Sequence, residues 1–286
     1  MQAPIDLRGI NVCVVGLGLI GGSFAKAIRE LSPNRVFGID RDEIVLKNAM
    51  SEGVIDNALF NQEEILNASD LVIIALYPKN SFDFIKDNMK SFKAGAILID
   101  TAGVKSQIVY DVQNIIRTDL EFLGTHPMAG KAETGFKNST KEIFIGSNYI
   151  LTPTNKNKDA TILFITAIAC AIGCKNTIKI SPDEHDEVIA YTSHLPHIVA
   201  VTLMNSKNCN NVNDFIGGGF RDSTRIAAIN SELWCELLND NSKNVIIIIE
   251  EFENNMRNLK ESIINRDENR LVDMLNKAGR LRREIK

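Results

Sequence analysis

Apolar positions in the first half of the chain fall in short runs separated by longer amphipathic stretches. Residues 10–15, 35–40, 71–76, 96–100, 121–124 and 148–152 read as strands, and 71–76 is a continuous apolar run, as a strand buried on both faces is. Residues 20–31, 42–51, 79–90 and 105–117 have the spacing of helices. Strands alternating with helices predict βαβ units, a parallel sheet and right-handed crossovers.

The pattern changes after Pro153. The polar run TNKNK over 154–158 marks a boundary, and beyond it long helical stretches dominate. Residues 183–206 read as one helix despite Pro196, and residues 245–286 as one or two amphipathic helices. The predicted organisation is therefore an α/β domain over 1–153 followed by an all-α domain over 154–286.

Length agrees with this division, because 286 residues exceed one ordinary core. A net charge of −4 with no basic stripe excludes a nucleic-acid partner. The cysteines Cys13, Cys170, Cys174, Cys209 and Cys235 are odd in number and scattered, with no C-x-x-C. They predict reduced thiols in a cytoplasmic protein, with neither a disulfide framework nor a zinc site. The start of the chain lacks the apolar core of a signal peptide. The apolar stretch 160–174 is too short for a membrane span, and 188–206 is interrupted by two histidines and a proline. Both read as buried helices, so no membrane partner is expected.

The first strand runs into Gly16-Leu17-Gly18-Leu19-Ile20-Gly21, a G-x-G-x-x-G string between a predicted strand and a predicted helix. Gly16 suits the tight turn, Gly18 lets the backbone approach a pyrophosphate, and Gly21 lets helix and strand pack closely. Leu19 and Ile20 open the helix, whose free N–H groups and positive dipole face the phosphates. Asp40 ends the second strand, about 20 residues on, where a carboxylate bonds the ribose hydroxyls. That acid favours NAD over NADP, whereas the adjacent Arg41 is a group able to meet a 2′-phosphate.

The chain has four histidines: His126, His185, His194 and His197. His126 follows a predicted strand at the carboxyl edge of the sheet, and Pro127 restricts its backbone. An imidazole there suits deprotonation of a hydroxyl. His194 and His197 share a helix face beside Pro196, as substrate contacts or core histidines. A metal is not expected, because no further ligand completes a set. Gly217–Gly219 lead into a helix start with Arg221 and Arg225 on one face, and a fixed arginine suits a carboxylate. Trp234 follows as core or as a substrate wall. No role is assigned to His185.

Together, VVGLGLIGGSFA, GTHPMAG, SHLPHIVA, GGGFRDSTRIA and Trp234 resemble the prephenate/arogenate dehydrogenase family over residues 14–234. The resemblance implies a Rossmann-type dinucleotide-binding domain followed by an all-α domain that dimerises. It implies NAD(P)-dependent oxidative decarboxylation of a small-molecule substrate, prephenate or arogenate, in tyrosine biosynthesis. It further implies that His126 takes the proton of the ring hydroxyl and that Arg225 holds a carboxylate. His197, Ser193 and Trp234 match positions lining the pocket. One departure stands out. Many members read D-x-G-S-x-K, but here Asp100-Thr101-Ala102-Gly103-Val104-Lys105 puts Gly103 in the serine's place. No regulatory domain is expected after the helices. Competing readings are a β-hydroxyacid dehydrogenase or pyrroline-carboxylate reductase of similar architecture, and a dinucleotide-sensing protein that is not an enzyme.

Overall fold

The computed structural model describes residues 5–56, 61–131, 133–206 and 212–285; Cys209 and the first four residues lie outside them. The first domain contains β1 (Asn11–Val15), α1 (Leu19–Arg29), β2 (Arg35–Ile39), α2 (Glu43–Ser51), α3 (Gln62–Ala68), β3 (Leu71–Ile74) and α4 (Pro78–Asp87). It continues through β4 (Ile97–Asp100), α5 (Ser106–Ile115), β5 (Glu121–Pro127), β6 (Asn148–Thr152), α6 (Asp159–Ala171) and β7 (Asn176–Lys179). These strands form one seven-stranded sheet in the order β2-β1-β3-β4-β5-β6-β7.

Alternate residues along each central strand feed opposite faces of the sheet. Val12, Val14, Leu71 and Ile73 pack into one core with α1 and α6. Cys13, Val15, Val72 and Ile74 pack into the other with α5. Both faces are therefore covered, which is why these strands read as unbroken apolar runs. Strand order reverses at β1, between β2 and β3, so the loop after β1 opens at the switch point where α/β sheets bind ligands.

Two expectations are corrected here. The sheet domain does not stop at residue 153: α6 buries Ile165 and Ile168 against the sheet, and β7 pairs with β6. The run at 154–158 is only the turn between β6 and α6, and the domain reaches Lys179. The polar NTIK of β7 hid it, because an edge strand with exposed residues lacks the apolar signature. Nor is the sheet wholly parallel, since β5 and β6 are antiparallel. The segment joining them holds only short 3₁₀ turns and no crossover helix, so the chain returns directly beside β5.

The second domain is helical: α7 (Pro182–Ile189), α8 (Leu195–Ser206), α9 (Gly218–Thr224), α10 (Ser231–Asp240), α11 (Ser242–Ile264) and α12 (Glu268–Glu284). A capping box of Ser181 and Glu184 starts α7. Helices α7 and α8 are continuous through a π turn, Ala190–His194, in which the Leu195 N–H reaches back to the Ala190 carbonyl. Pro196 has no N–H and would crowd the carbonyl one α-turn back, and the widened turn absorbs both defects. Among the described residues no helix is long and apolar enough to cross a membrane.

Candidate active site

The glycine loop is shaped by contacts that exclude side chains. Gly16 has φ +82, and a Cβ on Gly21 would stand 1.8 Å from the Gly16 carbonyl oxygen. A Cβ on Gly18 would instead meet nothing within 4 Å, so that face of the turn is open. Helix α1 begins at Leu19 and Ile20 with no side-chain cap and no acidic residue in its first turn. Its free N–H groups are thus available to an anion. Asp40 accepts from the Leu17 N–H at 2.7 Å through one oxygen and from the Asp42 N–H at 2.9 Å through the other. The carboxylate is tied to the loop at the end of β2, with exposed Arg41 beside it. These features fit a dinucleotide: an open turn, an uncapped helix start and a fixed acid on one sheet edge.

His126 lies near the end of β5, paired with Ile150 of β6. Its neighbour Thr125 is locked. The Thr125 N–H donates to Asp100 at 3.0 Å, and the Thr125 hydroxyl lies 3.0 Å from that of Tyr149. Lys105 is fully buried, forms a short ion pair with Asp100, and donates to the Thr125 carbonyl at 2.8 Å. The His126 ring is only half-buried and keeps an open edge. Burial still disfavours its charged form, and His185, Lys105 and His194 add to the effect, so its pKa is held well below the usual imidazole value.

Behind it stands a feature that sequence reasoning missed. His126 Nδ1 is 2.9 Å from His185 Nε2, and His185 Nδ1 is 2.7 Å from Asp186 Oδ1. The contact joins residues far apart in the chain, so no local pattern announces it. The adjacent His-Asp pair just after a capping box was the available signal.

His197 and Trp234 stack with ring centroids 4.0 Å apart, and the edge of His194 meets the same indole at 5.8 Å. His197 Nδ1 donates to the Ser193 carbonyl at 2.8 Å. His194 is buried with its Nδ1 3.3 Å from Asn241 Nδ2; burial is the main cause that pushes its pKa down to about 4. Arg225 sits in a 3₁₀ turn, Arg225–Ala227, packed along α8. It is exposed and has no carboxylate partner among the described residues, and no hydrogen bond joins it to the histidines.

The helical domain crosses the carboxyl edge of the sheet through α10, which carries Trp234. Glu236 accepts a short hydrogen bond from the Lys79 N–H at the start of α4, and Asn230 Nδ2 donates to the Tyr77 hydroxyl at 2.9 Å. Leu237 lies against Gly103, at 3.4 Å from where a Cβ would stand. A chain of contacts thus connects these residues: His126 meets His185, Asn241 bridges Asp186 and His194, and Trp234 packs against both His194 and His197.

Two family models match the chain in tandem. Residues 24–176 match "Prephenate dehydrogenase, nucleotide-binding domain" and residues 181–277 match "Prephenate dehydrogenase, dimerization domain". The chain belongs to the prephenate dehydrogenase family. The junction between the two matches coincides with the end of β7, where the sheet ends. A cyclohexadienyl dehydrogenase of Zymomonas mobilis is 26% identical over 96% of this chain and 96% of its own. The prephenate dehydrogenase of Bacillus subtilis is 30% identical over 82% of this chain and 65% of its own. A crystal structure of prephenate dehydrogenase from A. aeolicus, in complex with hydroxyphenyl propionate and NAD+, superimposes with a TM-score of 0.90. That protein is 30% identical and is covered over 99% of this chain and 100% of its own. Family membership makes the chain an oxidoreductase with a Rossmann-type domain.

Proposed function

We propose that this chain is an NAD-dependent prephenate dehydrogenase, converting prephenate to 4-hydroxyphenylpyruvate with loss of carbon dioxide. The observation that carries the reading is His126: a half-buried imidazole near the carboxyl end of β5, backed by His185 and held by burial well below the usual imidazole pKa. NAD, when bound, supplies the hydride acceptor. His126 accepts the hydrogen bond of the ring hydroxyl and takes its proton as that carbon is oxidised. Loss of carbon dioxide then makes the ring aromatic, and the oxygen recovers a proton. Arg225, without a carboxylate partner among the described residues, is suited to hold a substrate carboxylate. Ser193, His197 and Trp234 line the pocket. Gly16, Gly18, Leu19, Ile20 and Gly21 cradle the pyrophosphate, and Asp40 with Arg41 meets the adenosine ribose, the acid favouring NAD.

The match to a dimerization-domain model supports a homodimer through the helical half. Exposed Ile246, Ile247, Met256, Ile263, Ile264 and Leu275 on α11 and α12 are apolar surface for such a contact.

The test is reduced-nicotinamide absorbance with prephenate or arogenate, each with NAD or NADP. Turnover of prephenate with NAD is the expected result. Turnover of arogenate alone would keep the mechanism and replace the substrate, and silence from folded, NAD-binding protein would overturn the reading. Arg225→Ala is expected to lower kcat/KM by about 100-fold with NAD affinity unchanged.

A further inference from the structure

We propose that Asp186 and His185 are positioning residues that set the tautomer of His126, leaving its Nε2 as the proton acceptor. The inference rests on the reading of His126 as the base and says how the fold prepares it.

The argument starts at Asp186, which is 2% exposed. One carboxylate oxygen accepts from the Lys105 N–H at 2.8 Å as well as from His185, and the other accepts from the Ser106 N–H at 2.8 Å. Burial opposes the charge, but the donors from His185, Ser106 and Lys105 outweigh it and hold this carboxyl below the ordinary range. Asp186 is therefore an anion that only accepts.

The rest follows by donor–acceptor matching. His185 Nδ1 faces that anion, so it carries a hydrogen. Burial is the main force keeping the His185 ring neutral, so its other nitrogen, Nε2, has only a lone pair. His126 Nδ1 faces this lone pair at 2.9 Å and so carries its own hydrogen. Nε2 of His126 is then unprotonated, and it is the nitrogen left for a substrate hydroxyl. The opposite tautomer would set two lone pairs or two hydrogens against each other somewhere along the chain. Asn241 steadies the arrangement by donating to the Asp186 carbonyl at 2.8 Å. The relay also spans the domain seam, since His126 lies on β5, His185 and Asp186 lie on α7, and the anchoring N–H groups open α5.

The experiment is a long-range proton–nitrogen spectrum of the imidazole-labelled protein with NAD bound, in which four histidines give a resolvable set. His126 and His185 are expected to show a protonated Nδ1 and an unprotonated Nε2. Asp186→Asn is the companion variant, because its carboxamide can donate to His185 and so invert both rings. It should lower kcat by roughly 100-fold or more, with KM and the Kd for NAD within about threefold, and with His126 Nε2 now protonated. A purely structural role would instead move KM, the Kd or the folding transition. An unprotonated His126 Nδ1 in the unaltered protein overturns the proposal even if the variant fails to fold. So does a variant that keeps kcat within about threefold and keeps both tautomers. Absence of turnover in the unaltered protein would count against the proposed function, whereas the tautomer pattern tests the relay separately.

Discussion

Lys105 carries its ammonium group to a place without water. Both it and Asp100 are fully buried, and the pair is satisfied only because Thr125 and Ala102 supply further partners. Breaking such a pair from one side strands the other charge. Lys105→Met is expected to cost about 3–5 kcal/mol of stability, read by urea denaturation. It should also raise the pKa of His126, because the lysine charge is one of the causes holding it down. Since His126 must be neutral to act, the acid limb of kcat/KM should lie well below pH 6.5 in the unaltered protein and move upward in the variant. His126, His197 and Arg225 could be singled out as candidates because short local motifs enclose them, and Trp234 because it follows one. His185, Asp186 and Lys105 were not, because what they do depends on partners brought up by the fold. Gly103 was legible as a departure from the family pattern. Its surroundings leave room for a side chain against Leu237.

At the scale of elements, the central strands carry the fold. Ile73 of β3 is fully buried between neighbouring strands and a helix layer, within the larger core. Ile73→Ala should cost about 2–5 kcal/mol from lost burial and the cavity left behind, with an unchanged denaturant slope. The first six strands could be read from sequence because each holds a short apolar run, unbroken in β3 and flanked by polar residues in β2, β5 and β6. Strand β7 could not, because most of its residues are exposed and it has little to bury. The π turn before Pro196 was likewise invisible: periodicity shows that a helix continues, not that one turn is wide. That turn sets the relative angle of His194 and His197, which both reach Trp234.

For the whole molecule, the buried histidines tie stability to acidity. His194 and His185 are each about 1% exposed, and burial lowers both pKa values. The unfolded chain takes up protons near pH 6.5, whereas folded His194 resists until about 4. Between those values the unfolded state binds more protons, so folding stability falls as pH falls. A thermal scan should show Tm declining from pH 7 to pH 5, as stability falls by up to about 1.4 kcal/mol per pH unit for a single such group. Replacing His194 with Gln should flatten that slope.

The relay across the seam has a consequence for the order in which the chain is made. Domains emerge and fold from the N-terminus, so the glycine loop, Asp40 and His126 are complete before α7 exists. A nascent or truncated chain of that length has a nucleotide cradle and an imidazole with nothing behind it. Its ring is free to hold its single proton on either nitrogen. On the proposed relay, a chain that stops short of α7 is expected to bind NAD without oxidising substrate.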